Sequence, residues 1–162
     1  MLRGLLLVPA LLLATAAARA DHFAIDLVAQ AGKASQTAHA EKAGLDAVVK
    51  PRPVLEARAG QAVTVKWTLR CTDPKKTYND VIVHFVAVKE EKAGQRTVPK
   101  LDKDVTAESA LNMDFKPKDS ADGQISFTLK EPGAYLLRLE TIGAAVGAEG
   151  HEHFAALDLV VH

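Results

Sequence analysis

The run Val63-Thr64-Val65-Lys66-Trp67-Thr68-Leu69-Arg70 decides the fold. Val63, Val65, Trp67 and Leu69 share one parity, and Thr64, Lys66, Thr68 and Arg70 the other. Successive side chains of a β-strand point to opposite faces. The spacing therefore predicts a half-buried strand, with its apolar set in a core and its polar set in water. The same alternation recurs in Phe23, Ile25 and Leu27, in Leu111, Met113 and Phe115, in Ile125, Phe127 and Leu129, and in Tyr135, Leu137 and Leu139. Val81 to Val88 is apolar on both parities except at His84, which predicts a central strand covered on both faces. A last strand is expected over Phe154 to Val161.

Turn chemistry separates these runs. Ala59-Gly60-Gln61, Asp73-Pro74, Lys92-Ala93-Gly94, Asp122-Gly123 and Pro132-Gly133 combine glycine, which tolerates positive φ, with proline, which fixes φ and removes a donor. Asp122-Gly123, between two alternating runs, reads as a hairpin tip. Ala31 to Lys50 is rich in Ala and Lys and has little β-propensity, so a loop, a short helix or a mobile segment all suit it. Pro51-Arg52-Pro53 then forces extended backbone, and Gly143 to Gly150 reads as a loop.

The chain opens with Arg3, an uncharged apolar run from Gly4 to Ala14, and small residues at Ala18 and Ala20. This is the pattern of a secretory signal cut after Ala20, so residues 1–20 are expected to be removed and 21–162 to form one domain. The apolar run falls short of the roughly 20 residues needed to cross a bilayer, and no later stretch supplies a span. Localisation is therefore expected to be periplasmic or extracellular. Lys plus Arg and Asp plus Glu number 20 each. A balanced chain has no electrostatic footprint for nucleic acid or an anionic membrane. Cys71 is the only cysteine, so no internal disulfide forms. It reads as a small buried hydrophobe, with intermolecular pairing or metal ligation as the alternatives.

Several short strands with regular turns predict an all-β chain, and a sandwich is the expected closure. Pro132-Gly133-Ala134-Tyr135 followed by Leu136-Leu137-Arg138-Leu139-Glu140 resembles the Pro-Gly-x-Tyr start of a late strand in secreted immunoglobulin-like domains of bacteria. The resemblance, over Asp122 to Thr141, implies an immunoglobulin-like antiparallel β-sandwich of about seven or eight strands. It also implies a Tyr135 hydroxyl tied back to a neighbouring loop. It names a fold and carries no activity.

Histidines supply the only hint of a site. In His151-Glu152-His153 the two imidazoles lie two residues apart, which on a strand puts them on one face with Cα atoms roughly 6.5–7 Å apart. Such a pair can chelate copper or zinc. His22-Phe23-Ala24-Ile25-Asp26-Leu27-Val28 echoes His153-Phe154-Ala155-Ala156-Leu157-Asp158-Leu159-Val160 with one Ala inserted. If the first and last strands pair in parallel, His22 joins His151 and His153 as a third metal ligand. The inserted Ala flips side-chain parity after Phe154 unless a bulge absorbs it. The plainer reading is a solvated pair of histidines.

A blue-copper set fails, because no His or Met follows closely after Cys71. Asp102-Lys103-Asp104 and Asp119 to Gly123 lack the alternation of a calcium loop. His84, among Val83, Phe85 and Val86, reads as a neutral imidazole that fixes register. No nucleophile motif is present, and no catalytic residue is assigned. The expected function is a non-enzymatic binding domain for an unidentified protein or small ligand, requiring no cofactor. Copper or zinc delivery through the His-x-His pair is the alternative.

Overall fold

The computed structural model describes residues 22–39, 41–43, 51–95, 105–143 and 152–162. The proposed leader at 1–20, the expected loop Gly143 to Gly150 beyond Gly143, Asp102-Lys103-Asp104 and His151 lie outside them. The described residues contain ten strands and no helix: β1 (Phe23–Ala31), β2 (Ala34–His39), β3 (Glu41–Ala43), β4 (Val54–Ala57), β5 (Ala62–Cys71), β6 (Tyr78–Glu90), β7 (Val105–Phe115), β8 (Ser120–Thr128), β9 (Gly133–Ile142) and β10 (Glu152–Val161).

They form two sheets. Sheet A has the order β2-β1-β5-β8, all antiparallel. Sheet B has the order β3-β10-β9-β6-β7, and β4 pairs in parallel with β10. The expected all-β sandwich is therefore what this chain builds. The predicted parity holds along β5, where Val63, Val65, Trp67 and Leu69 are all buried. They meet Phe23, Ile25 and Leu27 of β1 and Val83, Phe85, Leu137, Leu139, Leu157 and Leu159 of sheet B in one core. Ring edges lock the layers, with Phe23 and Phe115 centroids 5.1 Å apart and Phe85 and Phe127 5.8 Å apart.

From Phe85 to Val88, β6 is covered on both faces, as its composition predicts, whereas Ile82 on the outer parity is exposed. Val81, Val83, Phe85 and Ala87 enter the main core, while Val86 and Val88 join Leu136, Phe154 and Ala156 in a second apolar cluster on the outer face of sheet B. The Tyr135 hydroxyl donates to the Glu131 carbonyl at 2.8 Å, tying β9 to the turn before it.

Three expectations need correction. Ala34–His39 and Glu41–Ala43 are strands β2 and β3, despite the weak β-propensity of that stretch. A tight turn at Gly32 (φ 61°) folds β2 back on β1, and that pairing overrides propensity. Asp122-Gly123 is not a hairpin tip. It lies inside β8, with Gly123 opposite Trp67. A Cβ at Gly123 would sit 2.4 Å from Trp67 Cζ2, so glycine is there to let the indole lie against the strand.

The first and last strands also do not pair. β1 is in sheet A and β10 in sheet B, and the parallel partner of β10 is β4. The β10 register with β9 runs unbroken from His153 to Val161. No bulge absorbs the inserted Ala, so Phe154 faces outward while Phe23 faces inward.

Candidate functional site

β7 and β8 are the edge strands of their sheets on one flank, joined by the short turn Lys116–Asp119 with Lys118 in the left-handed region (φ 67°). On interior strands such as β5 and β9 the inward side chains meet and exclude water. Along this flank they do not close. Leu111 is 49% exposed although it pairs with the buried Val83. Met113, Ile125 and Phe127 are only partly buried against the core.

A cleft of about 130 Å³ opens between the two edges. Val83, Phe85 and Leu139 form its floor on sheet B, and Trp67 and Ile125 its wall on sheet A. Among the described residues Ser109 and Gln124 are its polar members, and none of its lining side chains is titratable. Such a lining suits an apolar group flanked by a hydrogen-bonding one.

The buried charged groups lie elsewhere, on the outer face of sheet B. His84 Nδ1 is 2.9 Å from Glu140 Oε1 and His84 Nε2 is 2.7 Å from Glu108 Oε1. Burial acts to lower the His84 pKa, but the hydrogen bonds to the two carboxylates outweigh it and hold the value above 6.5. The ring is thus favoured as an imidazolium between two acids, and not as the neutral imidazole expected from its apolar neighbours.

Arg138, buried, pairs with Glu140 and stacks on Phe154 at 4.6 Å. Further along the face, Arg52 reaches Asp158 Oδ1 at 2.6 Å and Glu90 Oε2 at 2.7 Å, and the Gly94 amide donates to Asp158. Burial pushes the Glu90 carboxyl up, against the pull of Arg52. These groups pair with one another in a buried network, in which Arg52 Nη1 makes no hydrogen bond among the described residues.

Of the proposed metal ligands, His22 stands at the start of β1, and its Nδ1 is 2.6 Å from the Tyr78 hydroxyl. That hydroxyl also donates to Asp73 Oδ2 at 3.2 Å. His153 lies in β10 opposite Thr141, which in turn pairs with Val83. From Val83 back to Tyr78 is roughly 15 Å of strand, and two strand spacings separate β10 from β6. The parallel pairing that would set His22 beside His153 does not form. Cys71 is buried, with its Sγ 3.8 Å from the Asp73 carbonyl oxygen.

The cleft residues carry the chemistry that the sequence reading missed. Leu111 and Ile125 were legible as apolar members of alternating runs. Their exposure was not, because it follows from their strands being sheet edges.

No family model matches the chain, and no curated protein matches it. Among solved structures it is similar to one described as "Crystal structure of the C-terminal domain of wzt", with 11% identity and a TM-score of 0.43 over 77% of this chain and 78% of that one.

Proposed function

We propose that the chain is an exported, non-enzymatic interaction domain that takes its partner along the open flank between β7 and β8. The observation that carries this reading is Leu111, half exposed at the mouth of a cleft that reaches the core tryptophan. Inward positions on interior strands, such as Leu69 and Leu137, are fully buried. Water at the flank is therefore held against apolar surface that a partner side chain can cover. Burying one large apolar side chain there contributes on the order of 1.5–3 kcal/mol. The described lining, apolar apart from Ser109 and Gln124, supports a binding role. Support for export comes from the N-terminal residues alone.

The test uses the immobilised protein against an extract of its native cell envelope. Leu111→Lys should abolish retention of the partner. Thr37→Lys, on the opposite edge strand β2, should leave it intact. Trp67, the sole tryptophan, should change its emission when the partner binds. Equal retention by both variants would remove this reading.

A further inference from the structure

We propose that the flank accepts a second copy of this chain, the two β7 strands pairing antiparallel about a twofold axis at Ala110. This rests on the reading of the flank as a binding surface and names its occupant. β7 is an edge strand of eleven residues with no strand on its outer side among the described residues. Residues 105–115 contain no Lys, Arg or Pro to guard the edge, and their two acids, Glu108 and Asp114, share the outward parity. Register shifts occur only near its ends, so Ala107–Met113 is a regular template.

The side chains of that template are self-complementary. On the inward face, Ala107 and Ser109 are small while Leu111 and Met113 are large. Pairing about Ala110 sets Ser109 opposite Leu111 of the other copy and Ala107 opposite its Met113. Small meets large at every inward position, and each Leu111 comes to lie beside Ser109 at the mouth of the other copy's cleft. On the outward face, Glu108 meets Asn112 and Ala110 meets Ala110, so no acid opposes an acid.

Alternative arrangements match the same residues less well. A parallel pairing puts Glu108 against Glu108 and Leu111 against Leu111, with like charges directly opposed. Antiparallel pairing about Leu111 puts Glu108 against Asp114. Pairing about Ser109 sets Leu111 opposite Ala107, one pair removed from the Ser109 that lines the cleft.

Sedimentation of the protein purified from expression of the full chain should show a concentration-dependent dimer. Leu111→Lys should raise its dissociation constant at least about tenfold, by setting a charge at an apolar contact. Asn112→Lys should tighten the dimer about two- to tenfold by facing Glu108 twice, and Asn112→Glu should weaken it by a similar factor. Both shifts should shrink in high salt. In a Cys71→Ser background, Ala110→Cys should be joined to its own copy by a short bismaleimide, while Ser126→Cys on β8 should not. This variant leaves the fold intact if the Leu111 and Asn112 changes disturb it.

A protein that stays monomeric and uncrosslinked, yet still retains an envelope partner through Leu111, overturns the self-pairing and keeps the binding reading. A monomer that retains nothing through Leu111 overturns both. A dimer indifferent to Leu111→Lys and to the two Asn112 changes overturns the β7 interface.

Discussion

The outer faces of the two sheets carry similar charges under opposite conditions. On sheet A, Asp26 sits between Arg70 Nη2 at 2.8 Å and His39 Nδ1 at 2.7 Å, and both partners are exposed. On sheet B, Arg52, Arg138, Glu140 and Asp158 are all buried beside the apolar cluster of Val86, Leu136 and Phe154. Water screens the first set, so its members are nearly independent. The second set has only itself for solvation, so each charge depends on its partner. A polar position on the outward parity of a strand thus says which face it is on. It does not say whether that face meets water.

The largest expected break in the comparison is Arg52→Ala, which strands the fully buried Asp158 and the half-buried Glu90. Urea denaturation should show a loss of about 3–5 kcal/mol. Arg70→Ala, the sheet A counterpart, should cost about 0–1 kcal/mol. Equal losses would mean that the two faces do not differ in solvation. Phe154→Ala should cost about 3–5 kcal/mol, since it empties the second cluster and removes the ring beneath Arg138. Val28→Ala, half-buried on the outward parity of β1, should cost about 1 kcal/mol or less.

The faces should also lose their ion pairs at opposite ends of the pH scale. The folded His84 pKa lies above 6.5, so its pairing stabilises the fold fully below that pH and is lost as pH rises through the folded value. His84→Gln should flatten the alkaline side of a stability–pH curve. Asp26 is lowered below 3.8 by the hydrogen bond from His39, against partial burial and with help from Arg70. Its contribution is present above 3.8 and is lost as pH falls through the lower folded value. Asp26→Asn should flatten the acid side, and this is the smallest effect expected. A curve unchanged by either substitution would contradict the assignment of these pairs.

Much of the sandwich was legible in single segments. β5 showed its two faces in its own spacing, β6 showed the cover on both sides that holds from Phe85 to Val88, and Pro132-Gly133-Ala134-Tyr135 marked the tie from Tyr135 to the preceding turn. Gly123 misled because an Asp-Gly pair is a turn signal only when nothing presses on the glycine, and here Trp67 does. The cleft was not legible at all. Its lining residues come from five strands, and only their arrangement makes β7 and β8 adjacent edges.

Period-two alternation, which is a property of neighbouring residues, by itself determined that the chain is all-β and which side of most strands is apolar. Strand order, the separation of β1 from β10, the burial of Asp158 and the exposure of Leu111 were decided only by tertiary pairing. The physical reason is that a side chain's parity is set by its own backbone, whereas its contact with water is set by whichever strand or segment lies across from it.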